Sequence, residues 1–157
     1  MELPSILRQN KSQGFTLVEL IITLGILATV FAFGLFISFD FYKNYSFHSE
    51  KSTIVSVLQK ARGQALNNIN QSKHGVHFEN TPGLKYIIFE GDTFDADADS
   101  NIVINASYNI SITSPPLPFD VIFEQLTGNS ADKAITVSDG VRSYDIFVNS
   151  VGRIDWQ

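Results

Sequence analysis

The chain contains no cysteine. That absence excludes disulfides, thiolate metal sites and a thiol nucleophile, so any folded domain must be held by its packed core. Basic residues are scarce as well: eleven Lys and Arg stand against sixteen Asp and Glu, for a net charge of −5. Phosphate binding rests on clustered Lys and Arg, which disfavours nucleic acid as the main ligand. The motifs of common enzymes are missing: there is no Gly-x-Ser-x-Gly elbow, no Walker loop, no HExxH helix and no dinucleotide fingerprint. Ser, Asp and His all occur, but no spacing groups them, so the sequence reads as a non-enzyme without a cofactor. Finally, no charged side chain occurs from Leu20 to Phe39, and no proline between Pro4 and Pro82.

The uncharged run is the most informative stretch. A hydrocarbon core about 30 Å thick is crossed by ~20 helical residues, and Leu20 to Phe39 is that long. Arg8 and Lys11 precede it with only Glu2 opposing them, which keeps the N-terminus in the cytoplasm and exports the C-terminal bulk. Glu19 is the anomaly. A carboxylate at the centre of a membrane helix costs roughly 2.5–3.5 kcal/mol on insertion scales, less near the boundary, and so calls for a cationic partner. Cutting between Gly14 and Phe15 would create a positive amine about one helical turn from Glu19. An amine on an adjacent copy could pair with that carboxylate in a low-dielectric bundle. A conventional secretory signal fits less well, because the apolar run exceeds the usual ~7–15 residues and has no small-x-small cleavage site.

Lys11-Ser12-Gln13-Gly14-Phe15-Thr16-Leu17-Val18-Glu19, with the apolar helix after it, resembles the class III signal of type IV pilins and type II secretion pseudopilins. The resemblance implies an α+β pilin fold, with a long N-terminal helix and an antiparallel β-sheet head. It implies cleavage after Gly14 by prepilin peptidase, N-methylation of Phe15, and a requirement for Glu19 in assembly through amine pairing. The implied partners are that peptidase, other pilin or pseudopilin subunits and the inner-membrane assembly machinery. The implied location is the cell inner membrane, single-pass, and then a pilus or pseudopilus filament. Two departures stand out. Many pilins carry a proline midway along the helix and a disulfide in a C-terminal loop; this chain has neither residue there.

Four segments follow: a leader at 1–14, a transmembrane half-helix at 15–39, an amphipathic half-helix at 40–73 and a β-rich exported head at 74–157. In the amphipathic half, Phe47, Ile54, Leu58, Ala61, Ala65 and Ile69 recur at spacings of three, four or seven, while Lys43, Glu50, Lys51, Lys60 and Arg62 lie mostly off the stripe. One helix from Phe15 to about Asn70 is the economical reading, with fraying and cap signals from Asn67 to Gly75. From His74 the period becomes two. Val76 to Glu79 and Lys85 to Glu90 flank Asn80-Thr81-Pro82-Gly83 as a hairpin. Further strands are expected at Ile102 to Ile104, Ile110 to Thr113, Val121 to Glu124, Ala134 to Val137, Ser143 to Val148 and Arg153 to Trp156, giving one antiparallel sheet or two small ones with the helix across one face.

The final hairpin, Ser143 to Trp156, and Lys60-Ala61-Arg62-Gly63-Gln64-Ala65 resemble the H-type minor pseudopilins and related minor pilins, which favours a minor subunit. The alternative is a membrane-anchored receptor, ligand-binding or taking up DNA, with a β-rich head. Arg142 and Arg153 are offset by Asp139, Asp145 and Asp155, and Trp156 reads as a buried edge-strand residue rather than a base-stacking one. Asp95, Asp97 and Asp99, beside Asp92, alternate like the start of a calcium loop. The glycine position counted from Asp95 is Ser100 and the closing Glu position is Ala106, so a solvated acidic loop is preferred to a metal site. His74 and His77, three apart on an extended segment, point to opposite faces, one at a turn and one on a strand surface.

Overall fold

The computed structural model describes residues 14–106 and 110–157, and the side chains of 36–40 lie outside that description. Arg8, Lys11 and the rest of the expected leader before Gly14 are therefore outside the described residues.

The apolar run and the amphipathic stripe form one helix, α1 (Leu17–Leu66). Thr16 caps it: its hydroxyl oxygen accepts the Glu19 N–H at 3.2 Å and its carbonyl accepts the Leu20 N–H at 3.1 Å. These bonds satisfy donors that a helix start otherwise leaves open, and Glu19 lies in the first turn, at the positive end of the helix dipole. The chain separates between Tyr42 and Lys43 into two compact units. In the first, Leu17–Leu35 has a mean hydropathy of 2.3 and buries none of its length within the protein. Among the described residues it is the one helical segment long and apolar enough to cross a membrane.

The second unit is α+β. Among the described residues eight strands follow the helix: β1 (His74–Asn80), β2 (Leu84–Glu90), β3 (Ile102–Asn105), β4 (Ser111–Ser114), β5 (Phe119–Phe123), β6 (Lys133–Ser138), β7 (Ser143–Val148) and β8 (Ile154–Trp156). They form two four-stranded antiparallel sheets, ordered β3-β2-β1-β5 and β4-β6-β7-β8. The first hairpin closes as the sequence suggests, with Asn80 opposite Leu84 around Thr81, Pro82 and Gly83.

Period-two alternation gives each sheet an inner face. Val76, Phe78, Tyr86, Ile88, Val121 and Phe123 from one sheet and Ile135, Val137, Ile146 and Val148 from the other join Ile54, Leu58, Ala61 and Ala65 of α1 in a single buried cluster. The helix stripe thus serves both sheets. The outer face of the first sheet is partly covered too. Gly75 has no side chain, and a Cβ there would lie 2.6 Å from the ring of Phe89, which crosses that space. Phe94, from the β2–β3 connection, stacks on His77 at 3.9 Å and meets Phe89 edge-on at 5.7 Å.

Three expectations need correction. The helix stops at Leu66, short of Asn70, because Asn68, Asn70 and Gln71 take positive φ and break the α-helical run; asparagine tolerates that region better than most residues. Ile69 consequently leaves the stripe and is 43% exposed. Glu50 lies on the stripe, not off it, and is 3% exposed. Its spacing from Phe47 and Ile54 puts it on the buried face, where Tyr86 of β2 and Tyr144 of β7 receive it.

The end of α1 is fastened at three points. Ala65 accepts the Leu126 N–H at 2.9 Å, and Arg62 donates to the Val151 carbonyl at 3.2 Å. Gly128 lies against the Leu66 side chain, and Gly152 lies so close to the Gly128 carbonyl that a Cβ at Gly152 would be 1.8 Å from its oxygen. The β5–β6 connection and the β7–β8 turn therefore meet on the last turns of the helix, tying one sheet to the other.

Candidate functional site

The residues singled out at the N-terminus lie on the approach to the helix and in its first turn. Gly14 and Phe15 precede the helical span and are exposed, Phe15 by 81%. A Cβ at Gly14 would meet nothing within 4 Å. A peptide bond outside a helix, with its flanking residues open to solvent, is the kind of backbone a peptidase can take into an extended cleft. Helical order begins only with the Thr16 cap, which fixes the backbone under Glu19. Glu19 is exposed, and no ion pair engages it among the described residues. The apolar side chains that follow it, such as Leu20, Leu24, Leu27 and Phe31, are also open around the helix. Among the described residues of the first unit, neither this carboxylate nor this apolar surface is covered.

In the second unit, burial and hydrogen bonding decide what the ionisable groups can do. Burial, and then the Glu50 carboxylate beside it, push the Tyr86 hydroxyl well above its usual range, and the same two causes raise Tyr144. Both phenols remain protonated throughout the physiological range and can donate toward Glu50. A carboxylate buried between helix and sheets is the polar residue that the sequence reading missed; the three- and four-residue spacing to Phe47 and Ile54 could have revealed it.

His74 and His77 are both buried; His74 lies at the helix-to-strand turn, whereas His77 is covered instead of lying on an open strand surface. His74 Nε2 lies 3.0 Å from the Ile69 carbonyl in the wrap of the helix-to-strand turn. His77 Nδ1 lies 2.5 Å from Asp120 Oδ1 under the stacked ring of Phe94. Arg142 pairs with Asp139 at 3.1 Å and Arg153 with Asp155 at 2.9 Å, so both guanidinium groups are engaged by carboxylates. Trp156 is half exposed on the edge strand β8 instead of buried, because β8 is short and has a partner on one side only; the Lys51 ammonium sits 5.7 Å above its ring.

The aspartates of the β2–β3 connection are exposed. Asp95 Oδ1 accepts the Asp97 N–H at 3.0 Å, and its carbonyl accepts the Asn101 amide at 2.7 Å, which closes a turn. Among the described residues, no three Asp, Glu or His side chains converge as metal ligands do.

A groove of about 410 Å³ lies beside this connection, on the outer side of the first sheet. Asp92, Asp120 and Glu124 line it together with Lys73, Ile122 and residues of the β5–β6 connection. Lys73 bridges Asp92 at 2.8 Å and Glu124 at 3.0 Å, and these two carboxylates hold its ammonium above the usual lysine range. Asp120, the third carboxylate of the lining, is hydrogen-bonded to His77, and the Lys133 ammonium donates to the Asp120 carbonyl at 2.9 Å. Sequence periodicity gave no sign of the groove, since its walls come from segments far apart in the chain.

Comparison with known proteins places one signature. Residues 9–35 match the prokaryotic N-terminal methylation motif, which covers the Gly14–Phe15 junction, Glu19 and the apolar helix. That motif supports a type IV pilin or pseudopilin, a structural subunit rather than an enzyme, processed by prepilin peptidase and assembled with other subunits. The α+β layout is consistent with a pilin fold. No curated protein and no solved structure matches the chain.

Proposed function

We propose that the chain is a minor pilin or pseudopilin, anchored by a single pass in the inner membrane with its head exported. Cleavage follows Gly14, Phe15 carries the new methylated amine, and Glu19 pairs with the amine of a neighbouring subunit. Phe15 to Phe39 supplies the helix packing, and residues 40–157 provide the rest of the helix and the β-rich head, which decorates or initiates the filament.

The observation that carries this reading is the methylation motif at residues 9–35 on a helix whose carboxylate and apolar side chains find no cover among the described residues of its unit. A carboxylate in an apolar surround gains most from a cation brought alongside in low dielectric, and the amine made by cleavage supplies one.

Glu19→Ala tests it. The variant should insert and lose its leader as the parent does, by mass spectrometry of the membrane fraction, yet be depleted at least tenfold from sheared filaments. Incorporation at the parental level refutes the pairing.

A further inference from the structure

An open sheet ends on strands whose outer backbone groups have no ladder partner, and such an edge accepts another strand unless something blocks it. Among the described residues the two sheets end on β3, β5, β4 and β8. On β5 the Lys133 ammonium takes the Asp120 carbonyl at 2.9 Å, and Phe123 bridges to Ser130. β4 shifts register between Ile112 and Ser114 and runs into Pro115 and Pro116, which have no N–H to offer. β8 is three residues long, with the Lys51 ammonium over its Trp156 ring. β3 has none of these devices: Ile102-Val103-Ile104-Asn105 contains no proline and no charge, and its pairing with β2 is unbroken.

One hydrogen bond fixes which backbone groups of β3 are free. The Ala106 N–H donates to the Leu84 carbonyl at 3.0 Å. Bonded and non-bonded pairs alternate along an antiparallel ladder, so Ile104 opposite Tyr86 and Ile102 opposite Ile88 turn their backbone groups to β2, whereas those of Val103 and Asn105 turn outward. Among the described residues no hydrogen bond engages these outward groups. The strand also offers apolar cover on each face, with Ile102 38% and Val103 53% exposed. Asp97 and Asp99 stand in the connection that leads into β3, exposed and in no ion pair among the described residues. Lys73 is taken by Asp92 and Glu124 and leaves them unanswered.

We infer that the free edge of β3 binds an extended segment of a different protein, which joins the sheet as a further strand and carries Lys or Arg at its C-terminal end. The segment runs antiparallel to β3, as neighbours do throughout this sheet. Its last residues then come beside the connection that precedes β3, where Asp97 and Asp99 meet the basic side chains. Its backbone bonds to Val103 and Asn105, and alternate apolar side chains cover Ile102 on one face and Val103 on the other. Backbone bonds supply the affinity of such an addition, while side chains and opposite charges set its register. A second copy of this chain lacks the required chemistry, because no Lys, Arg or His occurs between Lys85 and Lys133, so pairing β3 with β3 brings no base. The inference goes beyond the filament reading and does not depend on it.

Fluorescein-labelled peptides, titrated onto the full chain in detergent and followed by anisotropy, test this. The probe alternates Val and Thr and ends in a pair of Lys at its C-terminus. It should bind saturably, and moving the Lys pair to the N-terminus or replacing it with Glu should weaken binding at least tenfold. N-methylation of the alternate amides that face β3 should abolish binding, whereas N-methylation of the other alternate set should leave it within threefold. Val103→Pro removes an outward donor without removing a bond to β2 and should weaken binding at least tenfold. Asp97→Asn with Asp99→Asn should erase the preference for the Lys-ended probe. Should Val103→Pro disturb the fold, the two N-methylated probes on the parent chain decide. Binding that ignores the pattern of N-methylation shows charge attraction without strand addition and overturns the proposal. So does the absence of saturable binding by the Lys-ended probe, or a β3-to-β3 pair of copies that excludes it.

Discussion

Gly152→Ala probes the place where the head is tied to its helix. A Cβ at this position would lie 1.8 Å from the Gly128 oxygen and 2.9 Å from its carbonyl carbon, and the residue has a φ of +70°. The obstacle is backbone, so no rotamer change relieves it. A left-handed conformation costs a non-glycine residue roughly 1–2 kcal/mol. Forcing an extra methyl into a packed site costs typically about 1–3 kcal/mol, so the sum is about 2–5 kcal/mol. Gly140→Ala is the internal control: its φ is +86° but nothing lies within 4 Å of the added carbon, so only the conformational part applies. At about 4 °C per kcal/mol for a domain of roughly this size, Gly152→Ala should melt about 4–12 °C below Gly140→Ala. Near-ultraviolet circular dichroism of the full chain in detergent follows the aromatic core through the transition. Equal losses in the two variants would refute the idea that the β7–β8 turn is seated against the β5–β6 connection.

Three further outcomes can be checked with the same preparations. Leu58→Ala, which empties a fully buried position between helix and sheets, should cost about 2–5 kcal/mol in chemical unfolding, whereas exposed Lys60→Ala should stay within about 0.5 kcal/mol of the parent. Asp139 is held below the usual carboxylate range by the backbone N–H groups of Arg142 and Val141. Its contribution is therefore present above the unfolded value of about pH 4 and is lost as pH falls through the lowered one; Asp139→Asn should flatten that part of the acid-unfolding curve, and an unchanged curve counts against the turn. Gly14→Glu places charge and bulk at the proposed scissile junction, and mass spectrometry should then find the leader retained.

Most of the architecture was legible because it rests on short-range periodicity. The helix stripe of Phe47, Ile54, Leu58, Ala61 and Ala65 and the strands on either side of Pro82 follow from spacings of three and four, or of two, and their burial agrees with those spacings. Glu50 had the right spacing but the wrong polarity. Charge suggests solvent, yet two tyrosines drawn from different sheets give it a polar setting. His77 was placed on an open strand surface because its cover, Phe94, comes from a connection with no periodicity of its own. Trp156 erred the other way: the edge strand was expected but so was burial, and β8, three residues long with one neighbour only, leaves the ring half exposed.

Local order along the chain, by itself, specified the apolar helix with its single carboxylate, the change of period at His74 and the absence of any disulfide. Each depends on residues a few positions apart, so neighbours in sequence suffice. Only the tertiary structure decided that the strands divide into two sheets sharing one helix face, that Glu50 belongs inside, and that Lys73, Asp92, Asp120 and Glu124 surround one groove on the face opposite the helix. These depend on which distant segments become neighbours. That pairing is set by the collective burial of both sheets against α1, a property of the folded chain that no short stretch contains.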